Sequence, residues 1–155
     1  MSVDSLKITQ EIFIPVPIDR VWEFLMNEEE MRNWFDAEAF VIDIVEGGKI
    51  EIPFSYGGEQ CLIVGEIGLI LPQEKFAFTW IERDRYGESW FNNTTVTVKL
   101  KENDVGTMFT LIHDGFNYLP KEIQASAYEK YQAFWGEFGM LERLLSKVLE
   151  KGKEH

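Results

Sequence analysis

Histidine and cysteine are almost missing from this chain. Its 155 residues include one cysteine, Cys61, and two histidines, His113 and the terminal His155. A lone cysteine cannot close an internal disulfide, which fits a reducing compartment; its neighbours Leu62, Ile63 and Val64 point to a buried, inert thiol. With so few imidazoles and thiols there is no H-E-x-x-H or C-x-x-C spacing, and neither common phosphate-cradling glycine loop occurs, so no metal and no cofactor is expected. Basic charge is also scarce. Fifteen Lys and Arg face 27 Asp and Glu, a net charge of −12, which argues against nucleic acid and against anionic membrane surfaces. No apolar run approaches the ~20 residues of a bilayer span, and no basic, then apolar leader opens the chain. The expectation is a cytoplasmic protein without membrane insertion, one domain over residues 1–155.

What the chain does have is regular apolar patterning. Leu6, Ile8, Gln10, Ile12 and Ile14 alternate on one face of a strand that Pro15 and Pro17 end. Helical spacing follows in Ile18, Val21, Trp22 and Leu25, and after Asn27 a second short helix carries Met31, Trp34 and Phe35, with Glu28, Glu29 and Glu30 in its first turn. Strands then recur between turn signals: Val41 to Val45 and Lys49 to Phe54 around Gly47-Gly48, Cys61 to Leu71 and Lys75 to Ile81 around Pro72-Gln73, Asn93 to Leu100, and Thr107 to His113. Pro120 opens a last helix reaching about Leu149, with an apolar stripe at Ile123, Ala127, Tyr131, Phe134, Phe138, Leu141, Leu145 and Val148 and Trp135 at its edge. Gly136 and Gly139 interrupt it on the side away from the stripe, where they either weaken the helix and allow a bend or are tolerated solvent-side glycines with no role; replacing both with Ala is expected to stabilise it. Periodicity gives an α+β fold with an antiparallel meander.

Five blocks in order carry a more specific message. Pro15 to Leu25, Arg32-Asn33-Trp34-Phe35, Gly47-Gly48-Lys49-Ile50, Leu71 to Trp80 and Gly106 to Phe116 together resemble the domain related to the activator of the ninety-kilodalton heat-shock chaperone ATPase, within the START-like (SRPBCC) superfamily. The resemblance runs from about Lys7 to Leu149. One departure is the order Phe134-Trp135-Gly136, where many relatives place glycine before the tryptophan. It implies the helix-grip fold: a seven-stranded antiparallel sheet wrapped around a long C-terminal helix, with two short helices after the first strand.

It also implies a function. START-like domains hold apolar or lipid-like molecules between sheet and helix, and aromatic residues form 14% of this chain. The leading expectation is therefore a protein that binds or carries a small hydrophobic or aromatic ligand, contacted by Trp34, Phe35, Phe54, Ile63, Phe78, Trp80, His113, Tyr131, Phe134, Trp135 and Phe138. Filling of the core by the same rings is the competing reading for each of them. Cyclase- or aromatase-like catalysis in that space is a second reading, with His113, Tyr131 and Glu82 as its polar candidates. They form no recognised constellation, and a lone imidazole on a strand reads as a hydrogen-bonded structural histidine, so no catalytic residue is assigned. Co-chaperone action in a stress response is a third, carried by the family's name alone. It ranks last, because the eukaryotic activators use a separate N-terminal domain to bind the chaperone and this chain has no room for one.

Overall fold

The structure, a computed structural model, describes residues 6–35, 40–56, 58–84, 93–137 and 139–152. Seven antiparallel strands form one sheet: β1 (Ile8–Ile14), β2 (Val41–Ile42), β3 (Lys49–Tyr56), β4 (Glu59–Leu71), β5 (Lys75–Asp84), β6 (Thr94–Asn103) and β7 (Gly106–Asp114), in the order β1-β7-β6-β5-β4-β3-β2. β2 to β7 are a meander, and β1 closes it by pairing with β7, Ile8 opposite His113 and Ile14 opposite Thr107. The first strand and the second thus lie at opposite edges. Helices α1 (Ile18–Leu25) and α2 (Glu28–Phe35) span the gap between them.

Local chemistry fixes the corners. Asn27 Oδ1 accepts the N–H of Glu30 at 3.0 Å, capping α2, whose three leading glutamates face the positive end of the helix. At the β2–β3 turn Gly47 has φ +85°, and a Cβ on Gly48 would lie 1.9 Å from the carbonyl oxygen of Asp43, so only glycine closes this turn. Inward residues of each strand are buried, among them Ile50, Ile52, Ile63, Ile67, Phe76, Phe78, Val96, Val98, Phe109 and Leu111. Cys61, three residues beyond the β3–β4 turn and paired in register with Phe54, is half-buried and not buried as expected. It lies near the end of the sheet, where burial is incomplete.

The C-terminal helical segment covers the sheet as expected, and it bends where the glycines stand. It consists of α3 (Lys121–Trp135) and α4 (Met140–Gly152). Gly136 ends α3, and Gly139 takes φ +69°, its N–H donating to the Gly136 carbonyl and its own carbonyl receiving the Arg143 N–H. The break resets the helical phase. In α3 the buried line is Ala127, Tyr131 and Trp135, and in α4 it is Leu141, Leu144 and Val148, so Trp135 takes the centre while Phe134 and Leu145 sit half-buried beside it. α4 packs on α2 and β1, and Trp34 Nε1 donates to the Met140 carbonyl at 2.8 Å, tying α2 to the start of α4. The gain from alanine at both glycines does not survive this geometry. A Cβ at Gly136 would approach the Gln132 carbonyl to 3.0 Å, and Gly139 occupies a left-handed conformation that alanine disfavours.

Candidate functional site

Strand alternation on β5 sends Phe76, Phe78 and Trp80 inward, and Glu82 continues the same face at the end of the strand. α3 lies over that end and presents Tyr131 and Trp135 to it, flanked by Lys130 and Phe134. The result is a nest of rings about Trp80. Its centroid lies 5.5 Å from His113, 5.5 Å from Tyr131, 6.1 Å from Phe134 and 5.6 Å from Trp135. Edge-on and tilted contacts of this kind add attraction beyond area burial.

His113 is completely buried within the nest. The Trp135 indole, which can only donate, bonds Nδ1 at 3.0 Å, so the imidazole proton resides on Nε2. Nε2 is 2.7 Å from Thr94 Oγ1, and that hydroxyl donates in turn to the Trp80 carbonyl at 2.9 Å. Every polar atom of the ring is thereby satisfied. Burial lowers the His113 pKa from 6.5 to about 3, so the imidazole is neutral at ordinary pH. It is a structural histidine, bonded as the residue pattern led one to expect.

The second polar group is an acid held between two donors. Tyr131 Oη donates to Glu82 Oε1 at 2.6 Å, and Lys130 Nζ donates to the same oxygen at 2.7 Å. Burial first, then the charge of Glu82 and the bond to it, raise the Tyr131 pKa well above 10. Its proton stays on the phenol. Neither His113 nor Tyr131 is therefore poised to exchange a proton near pH 7, and general acid–base catalysis gains no support from this pair. Lys130 escaped notice in the sequence because its partner is 48 residues away and nothing local marks it; Glu82 and Tyr131 were candidates, but their union depends on α3 crossing β5.

The other expected contact residues that are described fall into two groups. Ile63, Phe78, Trp80 and Trp135 are buried side chains of the core, and Trp34 is too, its ring 6.0 Å from Phe109. Phe35 and Phe134 are half-buried: Phe35 stacks on Phe40 at 5.4 Å and meets Trp135 at 6.2 Å, and Phe134 meets Trp135 at 4.8 Å from the other side. Phe138 and the side chain of Phe54 lie outside the described residues. A surface groove of about 230 Å³ runs elsewhere, between α1, the start of α2 and the end of α4, lined by Val16, Phe24 and Val148 with Arg20, Glu30 and Lys151 among its polar residues. None of the expected contact residues borders it.

Among the described residues no three His, Cys, Asp or Glu side chains are grouped to hold a metal ion, and no helix is long and apolar enough to cross a membrane. Several solved structures share the fold. A protein from Arthrobacter aurescens superposes with a TM-score of 0.74 at 17% identity, covering 97% of this chain and 90% of its own. One from Mesorhizobium loti gives 0.71 at 19%, covering 94% and 97%, and one from Nitrosomonas europaea gives 0.71 at 16% over the whole of both chains. At such identities the likeness speaks for the fold alone. No curated protein sequence is significantly similar. Residues 15–143 match the family described as Activator of Hsp90 ATPase homolog 1-like protein; that span takes in all seven strands but β1 and runs to the start of α4, and the chain belongs to this family.

Proposed function

We propose that the protein binds or carries a small hydrophobic or aromatic molecule between the sheet and α3, at the end of β5. The observation behind this reading is the composition of that end. Buried rings of Trp80, Tyr131 and Trp135 are bordered by the half-buried rings of Phe134 and Phe35, and one ion-paired carboxylate, Glu82, lies among them. Apolar walls with a few convergent polar groups are the usual make-up of small-molecule sites. Among the described residues, His113 and Tyr131 are both held in their neutral forms, which favours binding over catalysis.

Native mass spectrometry of freshly purified protein, followed by amide NMR during titration with planar apolar compounds, tests the proposal. A co-purified small molecule, or saturable shifts on Lys75 to Ile81, at His113 and from Tyr131 to Trp135 with roughly micromolar affinity, is the expected result. Shifts confined to the outward faces of the strands would mean that these rings only fill the core.

A further inference from the structure

The polar groups at the end of β5 are unequally satisfied. Glu82 receives both of its hydrogen bonds, from Lys130 and Tyr131, on Oε1. Its second oxygen, Oε2, has no donor among the described residues, although a carboxylate offers about four lone-pair sites. The Glu82 side chain is 18% exposed, so a molecule can reach it. Two residues earlier on the same inward face, Trp80 Nε1 is buried and makes no well-formed hydrogen bond among the described residues; the Tyr131 hydroxyl lies near enough for the indole to oppose the rise in that phenol's pKa, but not to satisfy the indole N–H. A buried N–H left without an acceptor is costly, and folded proteins tolerate few of them. An open acceptor and an orphaned donor thus stand on one strand face, walled by the rings of Tyr131 and Phe134.

That arrangement has a chemical preference. Lys130 already compensates the charge of Glu82, so the open oxygen suits a neutral donor. A ligand carboxylate placed there would set a second negative charge against Glu82 in surroundings of low dielectric, and an unsubstituted hydrocarbon would bury Oε2 with nothing to replace its water. A phenol answers both conditions, since its hydroxyl donates one hydrogen bond and its ring lies against aromatic walls. Resting on the binding function proposed above, we infer that Glu82 Oε2 anchors the ligand and selects phenolic aromatics over fatty carboxylates and bare hydrocarbons.

The test compares 2-naphthol, naphthalene, 2-naphthoate and laurate on the intact protein at pH 7, by amide NMR for location and by calorimetry or NMR titration for affinity. Expected are shifts at the end of β5 and along α3, with 2-naphthol bound about tenfold or more tightly than naphthalene and both carboxylates weaker than either. In Glu82→Met, which removes the acceptor, naphthol and naphthalene should agree within about twofold, and in Glu82→Gln 2-naphthoate should gain affinity, because the repelling charge is gone. Shifts at the same place with equal naphthol and naphthalene affinities in the unaltered protein, or with a carboxylate bound best, would overturn the anchor and leave the binding site standing. No shifts beneath α3 from any of the four would overturn both.

Discussion

His113 makes the stability of this protein depend on acid. With a pKa near 6.5 in the unfolded chain and about 3 in the folded one, the unfolded state binds the extra proton between these values. The neutral ring's contribution is therefore complete above pH 6.5 and is lost as pH falls toward 3, at up to about 1.4 kcal/mol per pH unit from this one group. Urea melts of the unaltered protein and His113→Asn at pH 7, 5.5 and 4.5 should give a shallower pH slope for the variant; parallel slopes would show that the carboxylates alone set the acid response. Thr94→Val keeps the shape of the side chain but strips Nε2 of its acceptor. It should cost about 1–3 kcal/mol, the penalty of an orphaned buried donor, read as a shift in the urea midpoint with unchanged m. The lone histidine's structural character was legible in the sequence, from its place on an inward strand face. Its partners were not, for Thr94 and Trp135 lie 19 and 22 residues away and neither spacing is periodic.

At the scale of elements, the break between α3 and α4 governs how the C-terminal segment fits its neighbours. Gly139→Ala places a side chain on a residue with φ +69° and should destabilise by about 1–2 kcal/mol. The sign is the reverse of the gain that alanine brings inside a continuous helix, so a thermal melt of that one variant distinguishes a true break from a flexible helix. The apolar spacing marked one helix from Pro120 to about Leu149 and flagged the two glycines; α3 and α4 fill that span, separated by the break between Trp135 and Met140. It misplaced the buried line by one position on each side of them, putting Phe134 and Leu145 where Trp135 and Leu144 stand. A stripe of threes and fours tolerates a shift of one position; how α3 docks on the sheet decides its inward line, and the left-handed conformation of Gly139 sets the phase of α4.

For the whole molecule, the division between core and candidate site should appear as a difference in energetic cost. Leu144, fully buried between α4 and the sheet, should lose about 2–5 kcal/mol on change to Ala. Phe134, half-buried at the edge of the ring nest, should lose clearly less while weakening ligand binding several-fold. Equal large losses in urea melts would assign Phe134 to the core. Exhaustive chelation should leave the melting temperature unchanged, and stoichiometric metal in the purified protein would contradict that. The sequence by itself determined the strands, the short helices, the Asn27 cap of the second and the meander, because alternation, helical spacing and turn residues act over a few neighbouring positions. Ordered motifs carried the helix-grip architecture as well. Only the tertiary structure decided that Lys130 and Tyr131 share one oxygen of Glu82, leaving the other open, and that Trp135 bonds His113. Those pairings need two elements to cross within hydrogen-bond distance, and a tolerance of a few tenths of an ångström is set by how the core packs, not by any pattern along the chain.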